Sequence, residues 1–405
     1  MQLYRIMEES LPFRYSLQDY LFTWIGLFFS LLDIVMDIWT VLLLYQEEAY
    51  VFMGLMIFFL LGASVLLQVF SWLWYSDSLI KLETEVEKFA KRHDLIKPLH
   101  FLQLGVYLRY AGVIEISTKH FLHQKDNFKE SLYLNLDFKM LRLFETFAES
   151  APQLILMMSL ILQRGRLQLF TGLKFFTSAA SIASSLAMYH NSIRAFFDVK
   201  CWTATAVYLL WNILLIIPRV AALALFCSVF PCYIIAHFLS FWLVLVLVAW
   251  RQKTDFMKSS SWQGLFKATV GLIWYFSWFN ISERNTKLKH AIYCSFLLLD
   301  MMMLLGFWSW KVTEYAGCWT SLNQTVVIPT LLGLYISGIL VMMMNYKWFY
   351  TSYKQKTDEL SKKIKEGSFK KGIVLGCSYS TETETVDEVP GVLLRSRTMA
   401  ADFYF

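Results

Sequence analysis

Residues 21–44 have the sequence LFTWIGLFFSLLDIVMDIWTVLLL, and this stretch decides the class of the protein. An α-helix needs about 20 consecutive apolar residues to cross a bilayer, and this run exceeds that length. It is too long for the core of a signal peptide and has no small-residue cleavage site, so it predicts an uncleaved first membrane span. Asp33 and Asp37 lie four residues apart within it, which places two carboxyl groups on one face of the helix.

The composition of the chain agrees with a protein that mostly faces lipid. Of its 405 residues, 57% are hydrophobic and only 17% are charged, whereas about a quarter of the residues of soluble domains are charged. The basic residues lie in loops and in the tail, so nucleic acid is not an expected partner. The six cysteines lack metal-site spacing, and no phosphate-binding loop, nucleophile elbow or HExxH helix occurs. We therefore expect neither an enzyme nor an ATP-driven pump, and no metal ion or other cofactor.

Ten apolar segments follow one another along the chain, near residues 20–44, 50–73, 98–114, 138–163, 169–189, 201–227, 230–250, 264–280, 290–310 and 326–345. Segments 98–114 and 264–280 are at the lower length limit of a membrane span. Each has lysine and arginine residues on both flanks, and such residues favour the cytoplasmic side. We therefore predict that these two segments are re-entrant half-helices and that the other eight cross the membrane.

The predicted fold is an all-α membrane protein with eight transmembrane helices and two re-entrant half-helices in two pseudo-symmetric repeats. The order span, span, half-helix, span, span occurs in residues 20–189 and again in residues 201–345, as in transporters with internal repeats. The two halves share no strong residue identity, so the repeat depends on topology alone. Residues 1–19 and a regulatory tail of residues 346–405 are predicted to be cytoplasmic, in a multi-pass protein of the plasma membrane.

The ionisable residues inside the predicted spans include Asp33, Asp37, Arg142, Glu145, Glu149, Arg219 and Asp300. Each charge near the bilayer centre costs ~2.5–3.5 kcal/mol, so seven unpaired charges would oppose insertion by roughly 20 kcal/mol. They must be paired or hydrated. Arg142, Glu145 and Glu149 are spaced to share one helical face. The charges form either an interhelical salt-bridge clamp or a polar track for a hydrophilic group, and the first-half cluster, with four acids and one arginine, needs water or a cationic partner.

Three passages, residues 32–39 (LDIVMDIW), 140–147 (MLRLFETF) and 149–154 (ESAPQL), resemble the XK-related family of phospholipid scramblases. Shorter matches occur at residues 70–72, 218–220, 254–257 and 276–280, and residues 277–280 favour one particular member of the family. The resemblance implies a passive, ATP-independent scramblase that exposes phosphatidylserine on apoptotic cells. It also implies that the lipid pathway uses Asp19, Asp33, Asp37, Asp137, Arg142, Glu145, Glu149, Arg219 and Asp300. One residue departs from the family pattern, because Met188 precedes Tyr189 where an acid is expected.

The family resemblance also implies that a caspase activates the protein by cutting the tail. Residues 384–387 (ETVD) lie in a Ser/Thr/Glu-rich stretch that we predict to be disordered, so we predict cleavage by an effector caspase after Asp387. A further implied partner is a single-span immunoglobulin-superfamily subunit such as basigin or neuroplastin. Two other functions stay open: a membrane docking or complex subunit without transport activity of its own, and a small-solute transporter.

Overall fold

The computed structural model describes residues 17–76, 84–123, 129–165, 169–196, 202–252, 256–257, 259–281, 286–314, 322–345 and 347. Within these residues the fold is all-α and contains no β-strand, which confirms the all-α part of the predicted fold class; the predicted count of eight spans stays a prediction. Six of the described helices are long and apolar enough to cross a membrane.

The described helices, numbered in chain order, are α1 (Leu17–Gln46), α2 (Tyr50–Ser76), α3 (Glu85–Arg92), α4 (Ile96–Phe101), α5 (Gly105–His123), α6 (Lys129–Glu145), α7 (Ala151–Arg164), α8 (Leu169–Phe196), α9 (Trp202–Val229), α10 (Tyr233–Arg251), α11 (Ser260–Trp274), α12 (Thr286–Glu314) and α13 (Gln324–Asn345). The six span-length apolar helices are α1, α2, α9, α10, α12 and α13.

The helices α6, α7 and α8 form the interior of the first half. Helix α1 packs along α8, α6 packs against α8, and α7 lies between α8 and α9. Met140, Leu141 and Phe144 of the MLRLFETF passage are completely buried. The passage is therefore part of the packed core, which also brings Arg142 and Glu145 into the middle of the protein.

A single π-helical turn, Thr146–Ser150, joins α6 to α7. Pro152 follows directly, in the first turn of α7. Proline has no N–H to donate and its ring clashes with the carbonyl group one turn earlier, and the wider π-turn accommodates both effects within a continuous helical rod. Because π-turns concentrate at functional sites, the position of Glu149 inside this turn is notable.

The first short segment, residues 98–114, is two helices rather than the single half-helix that we predicted. Helix α4 ends at Phe101, and α5 begins at Gly105. Between them, Gln103 has a φ of 63°, a left-handed conformation that residues other than glycine rarely adopt. A Cβ on Gly105 would lie 2.3 Å from the His100 ring, so only glycine allows the chain to turn back this close to His100.

Hydrogen bonds to α2 fix the depth of this turn. Ser64 donates to Oε1 of Gln103 at 2.7 Å, and the Gln68 side-chain amide donates to the Gln103 carbonyl oxygen at 2.9 Å. Ser64 lies twelve residues before Ser76, the last residue of α2, which is about 18 Å at 1.5 Å per residue. The chain therefore runs along half of α2, turns at Gln103 and runs back.

The second short segment also has less helix than predicted for residues 264–280. Helix α11 ends at Trp274, and residues 275–281 are not helical. Helix α11 runs antiparallel to α10: Lys267 donates to the Trp250 carbonyl oxygen at 3.2 Å, and Trp242 donates to that of Ala268 at 3.0 Å. The bond that Trp274 Nε1 donates to the Phe279 carbonyl oxygen at 2.6 Å folds the chain back after α11.

Candidate functional site

A buried cluster of charges lies where α1, α6, the π-turn and α8 meet. Lys174 of α8 is fully buried, and its Nζ lies 2.5 Å from Oδ1 of Asp33 and 2.6 Å from Oδ1 of Asp37. Both carboxyl groups are on α1, one turn apart, as their spacing predicts. One ammonium group therefore bridges two carboxylates in an environment that is closed to solvent.

The basic residue that the sequence did place in this cluster, Arg142, is also buried. Its guanidinium donates to Oγ of Ser30 at 3.0 Å and forms an ion pair with Glu145 on the next turn of the same helix. The Glu145 side chain is 20% exposed, whereas that of Arg142 is 2% exposed. Glu145 is therefore the most exposed of the ion-paired side chains in the cluster.

The π-turn adds the remaining acid and a hydroxyl group. Ser150 donates to Oδ2 of Asp33 at 3.2 Å and contacts the Ser181 hydroxyl of α8 at 3.4 Å. Glu149 is buried in this turn, and its carboxyl group is close enough to Asp37 and Glu145 to interact with them electrostatically. The cluster thus contains four carboxyl groups and two basic side chains, and this surplus of acid distinguishes it from a simple one-to-one clamp.

Arg219 and Asp300 form a second buried cluster in the other half of the chain. The Arg219 guanidinium pairs with Oδ2 of Asp300 and donates from Nε to the Tyr275 carbonyl oxygen at 3.2 Å. The other oxygen of Asp300 lies 3.0 Å from Nε2 of His237, and Nδ1 of His237 lies 3.0 Å from the Tyr275 hydroxyl. These contacts join α9, α10, α12 and the end of α11, whereas α1, α6, the π-turn and α8 form the first cluster.

The remaining predicted site residues are placed differently. Asp137 is buried on α6, two residues before Lys139, whose Nζ lies 3.6 Å from Sδ of Met188. Met188, the residue that departs from the expected pattern, therefore lies beside Lys139. Asp19 lies in the first turn of α1, and its side chain is outside the described part of the structure. Asp387 also lies outside the described residues.

Sequence reasoning missed three polar side chains that pair inside the protein. Lys174 lies in an apolar segment and was not counted among the charges in spans, although its burial between two acids makes it the cationic partner that the cluster needs. His237 appears isolated in the sequence but contacts Asp300. Arg109 of α5 donates to both the hydroxyl and the carbonyl oxygen of Ser71. Only Lys174 carried a usable signal, a charge in the middle of a predicted span.

Comparison with known proteins identifies the family. A family model described as XK-related protein matches residues 21–351. The chain is 38% identical to XK-related protein 8 of Tetraodon nigroviridis over 351 residues, which covers 85% of this chain and 86% of that protein. It is 35% identical to XK-related protein 8 of Pan troglodytes over 350 residues, covering 84% and 86% respectively. Residues 277–280 favour XK-related protein 8 among the family members, and these relatives confirm that resemblance. The chain belongs to the XK-related family.

Proposed function

We propose that this protein is a passive phospholipid scramblase in which the first buried cluster forms the centre of the headgroup pathway. The observation that supports it most directly is the convergence of Asp33, Asp37, Arg142, Glu145 and Glu149, which come from two separate stretches of sequence, into one cluster with a surplus of acid. Membership of the XK-related family also supports the proposal, because the sequence resemblance to that family implies this activity.

The physical role of such a cluster is to replace water around a polar headgroup. A zwitterionic or anionic headgroup that crosses hydrocarbon loses the hydration of its charges at a high free-energy cost. Fixed carboxylate and guanidinium groups offset part of this cost, while the acyl chains remain in the bilayer. Because the cluster lowers the barrier without supplying energy, lipid flow is bidirectional and removes the asymmetry between the leaflets.

The proposal includes a membrane topology of eight spans and two re-entrant segments, with both termini in the cytoplasm of a plasma-membrane protein. The turn at Gln103 supports this topology for the first segment, since the chain reaches the middle of α2 and returns along it. Phe101 at the end of α4 is 87% exposed, and Leu102 is 63% exposed. Exposed apolar side chains at this depth fit contact with lipid, whereas a full crossing would continue to the far end of α2.

Activation by an effector caspase remains a prediction that comes from the family resemblance and from the ETVD sequence before the cut. Cleavage after Asp387 would release residues 388–405, which contain apolar side chains able to fill a cytoplasmic cavity in the intact protein. Loss of such contacts would shift the population toward a conducting state.

Reconstitution tests the transport proposal. Protein truncated after Asp387 is placed in liposomes with fluorescent phospholipids, and the fraction of lipid that becomes accessible to an external quencher is followed with time. Glu145→Gln combined with Glu149→Gln should slow this exchange about tenfold, because a loss of ~1.4 kcal/mol of headgroup stabilisation changes a rate by that factor. The matched control is Glu85→Gln combined with Glu314→Gln, two exposed acids that should leave the rate unchanged.

The same experiment distinguishes the docking-subunit alternative. The pairing of Lys174 with both Asp33 and Asp37 fits a structural clamp as well as a track. If purified protein moves no lipid but is recovered in complex with a basigin- or neuroplastin-type subunit, the clamp and the docking function are correct. If it moves lipid by itself, and the Glu145/Glu149 variant does so more slowly, the track is correct.

A further inference from the structure

The ammonium group of Lys174 occupies a site that is built for an ammonium ion. Its two nearest carboxylate oxygens, on Asp33 and Asp37, lie at 2.5 and 2.6 Å. Ser150 donates a hydrogen bond to the other oxygen of Asp33, which orients that carboxylate. The Lys174 side chain reaches the site from α8 through four methylene groups, whereas both carboxylates lie on α1. The site and its occupant therefore come from different helices.

Two features indicate that this site is more than a structural ion pair. The cluster contains four carboxyl groups for two basic side chains, so carboxyl oxygens remain that can accept hydrogen bonds from an incoming ammonium group. In addition, the described structure gives no hydrogen-bond partner to the fully buried side chains of Gln153 and Ser178. Gln153 lies one turn after Glu149, and Ser178 lies one turn after Lys174. Buried polar groups without partners are rare in proteins, and two of them one helical turn from Glu149 and from Lys174 fit a polar ligand beside the cluster.

We propose that the Asp33–Asp37 carboxylate pair binds the ammonium group of a phospholipid headgroup, and that Lys174 is a tethered occupant which the lipid displaces. This inference rests on the proposed scramblase function and specifies which part of the headgroup the cluster recognises. Displacement exchanges one ammonium for another at the carboxylates, and the phosphate of the same headgroup becomes the counter-ion of the released Lys174 ammonium, so neither buried charge is left unpaired.

The proposal predicts discrimination between headgroups. Phosphatidylethanolamine and phosphatidylserine carry a primary ammonium group with three N–H donors, as lysine does. Phosphatidylcholine carries a quaternary ammonium group, which has the charge but no N–H donor. Phosphatidylglycerol has no cationic group. The first two lipids therefore compete best with Lys174, and phosphatidylglycerol competes least.

Lys174→Met tests the role of the tethered ammonium in transport. With the truncated protein in liposomes, this variant should move phosphatidylethanolamine and phosphatidylserine about tenfold faster relative to phosphatidylglycerol. This factor corresponds to a barrier that is lower by ~1.4 kcal/mol once Lys174 no longer competes for the carboxylates. Lys311→Met, which removes an exposed lysine that pairs with Glu314, is the control and should leave all three rates unchanged. Equal acceleration of all three lipids, or no acceleration, would overturn the proposal.

A binding measurement keeps the proposal testable independently of transport. Lys174→Ala removes the tethered group and leaves space for n-butylammonium, which has the same chain and charge as the lysine side chain. In detergent, this variant should gain thermal stability with n-butylammonium in a saturable manner, because a ligand that binds only the folded state stabilises it. Tetramethylammonium and n-butanol should have no such effect, and the unsubstituted protein should respond to none of the three.

The outcomes of the two experiments separate the two proposals. Specific stabilisation by n-butylammonium supports the ammonium site even if the protein moves no lipid, in which case the scramblase function fails and the site stands. If the protein scrambles lipid but n-butylammonium stabilises Lys174→Ala no better than n-butanol does, the ammonium site is wrong. If Lys174→Ala is recovered folded only when n-butylammonium is present during purification, that recovery itself supports the site.

Discussion

The Arg219–Asp300 pair allows a prediction in which the two partners of one ion pair are not equivalent. Both side chains are buried, and Asp300 has a second partner, because Oδ1 lies 3.0 Å from Nε2 of His237. Arg219 instead donates to the Tyr275 carbonyl oxygen and packs against the Phe241 ring. Neither of these contacts carries a negative charge. Loss of Asp300 therefore leaves a buried cation without a counter-ion, whereas loss of Arg219 leaves a carboxylate that still accepts a hydrogen bond.

The expected free-energy costs follow from this difference. Asp300→Asn should reduce the free energy of unfolding by about 3–5 kcal/mol, as is usual when one partner of a buried ion pair is removed. Arg219→Met should cost about 1.5–3 kcal/mol less than Asp300→Asn. The Asp300 carboxylate keeps its hydrogen bond to His237 in the Arg219→Met variant, and a hydrogen bond to a charged group contributes about this much. Arg219→Met combined with Asp300→Leu removes both charges and should be nearly neutral, because apolar side chains of similar volume replace buried ion pairs well.

The assay is unfolding of the detergent-solubilised protein, followed by the loss of monodisperse protein with temperature or denaturant. The exposed Lys311–Glu314 pair is the control, and the removal of either of its charges should cost about 0–1 kcal/mol. The reasoning fails if the double variant loses the sum of the two single costs, since the charges would then act independently. It also fails if Arg219→Met is the more damaging single change.

Three further predictions concern other parts of the chain. Gly105→Ala should destabilise the turn between α4 and α5 because its Cβ would lie 2.3 Å from the His100 ring, and thermal unfolding should show a clear loss relative to Gly62→Ala, where the added Cβ meets nothing within 4 Å. Thr286→Cys, in a protein whose six native cysteines are replaced by serine, should react with a membrane-permeant thiol reagent and not with an impermeant one added to intact cells; strong external labelling of this single cysteine would contradict the re-entrant topology. Asp387→Ala should delay phosphatidylserine exposure in dying cells and block cleavage of the tail, and normal exposure with normal cleavage would show that this cleavage site is wrong.

The sequence alone determined the class of the protein and the approximate position of its helices. Apolar runs such as residues 21–44 are unambiguous, because only a helix satisfies the backbone of a long apolar segment in lipid. Spacing also predicted which charges share a helical face, as for Asp33 with Asp37. The passages MLRLFETF and ESAPQL indicated the family by resemblance, and in the structure their residues combine core packing with buried charge.

Tertiary structure decided where the helices break and which charges meet. The left-handed turn at Gln103 depends on hydrogen bonds from Ser64 and Gln68, whose side chains lie more than thirty residues away in the sequence. The pairing of Lys174 with Asp33 and Asp37 joins residues about 140 positions apart, and that of Asp300 with His237 joins α12 to α10. Helical periodicity determines the face on which a charge lies, but the partner of that charge depends on which helices pack together, and in this protein that packing determines the candidate pathway.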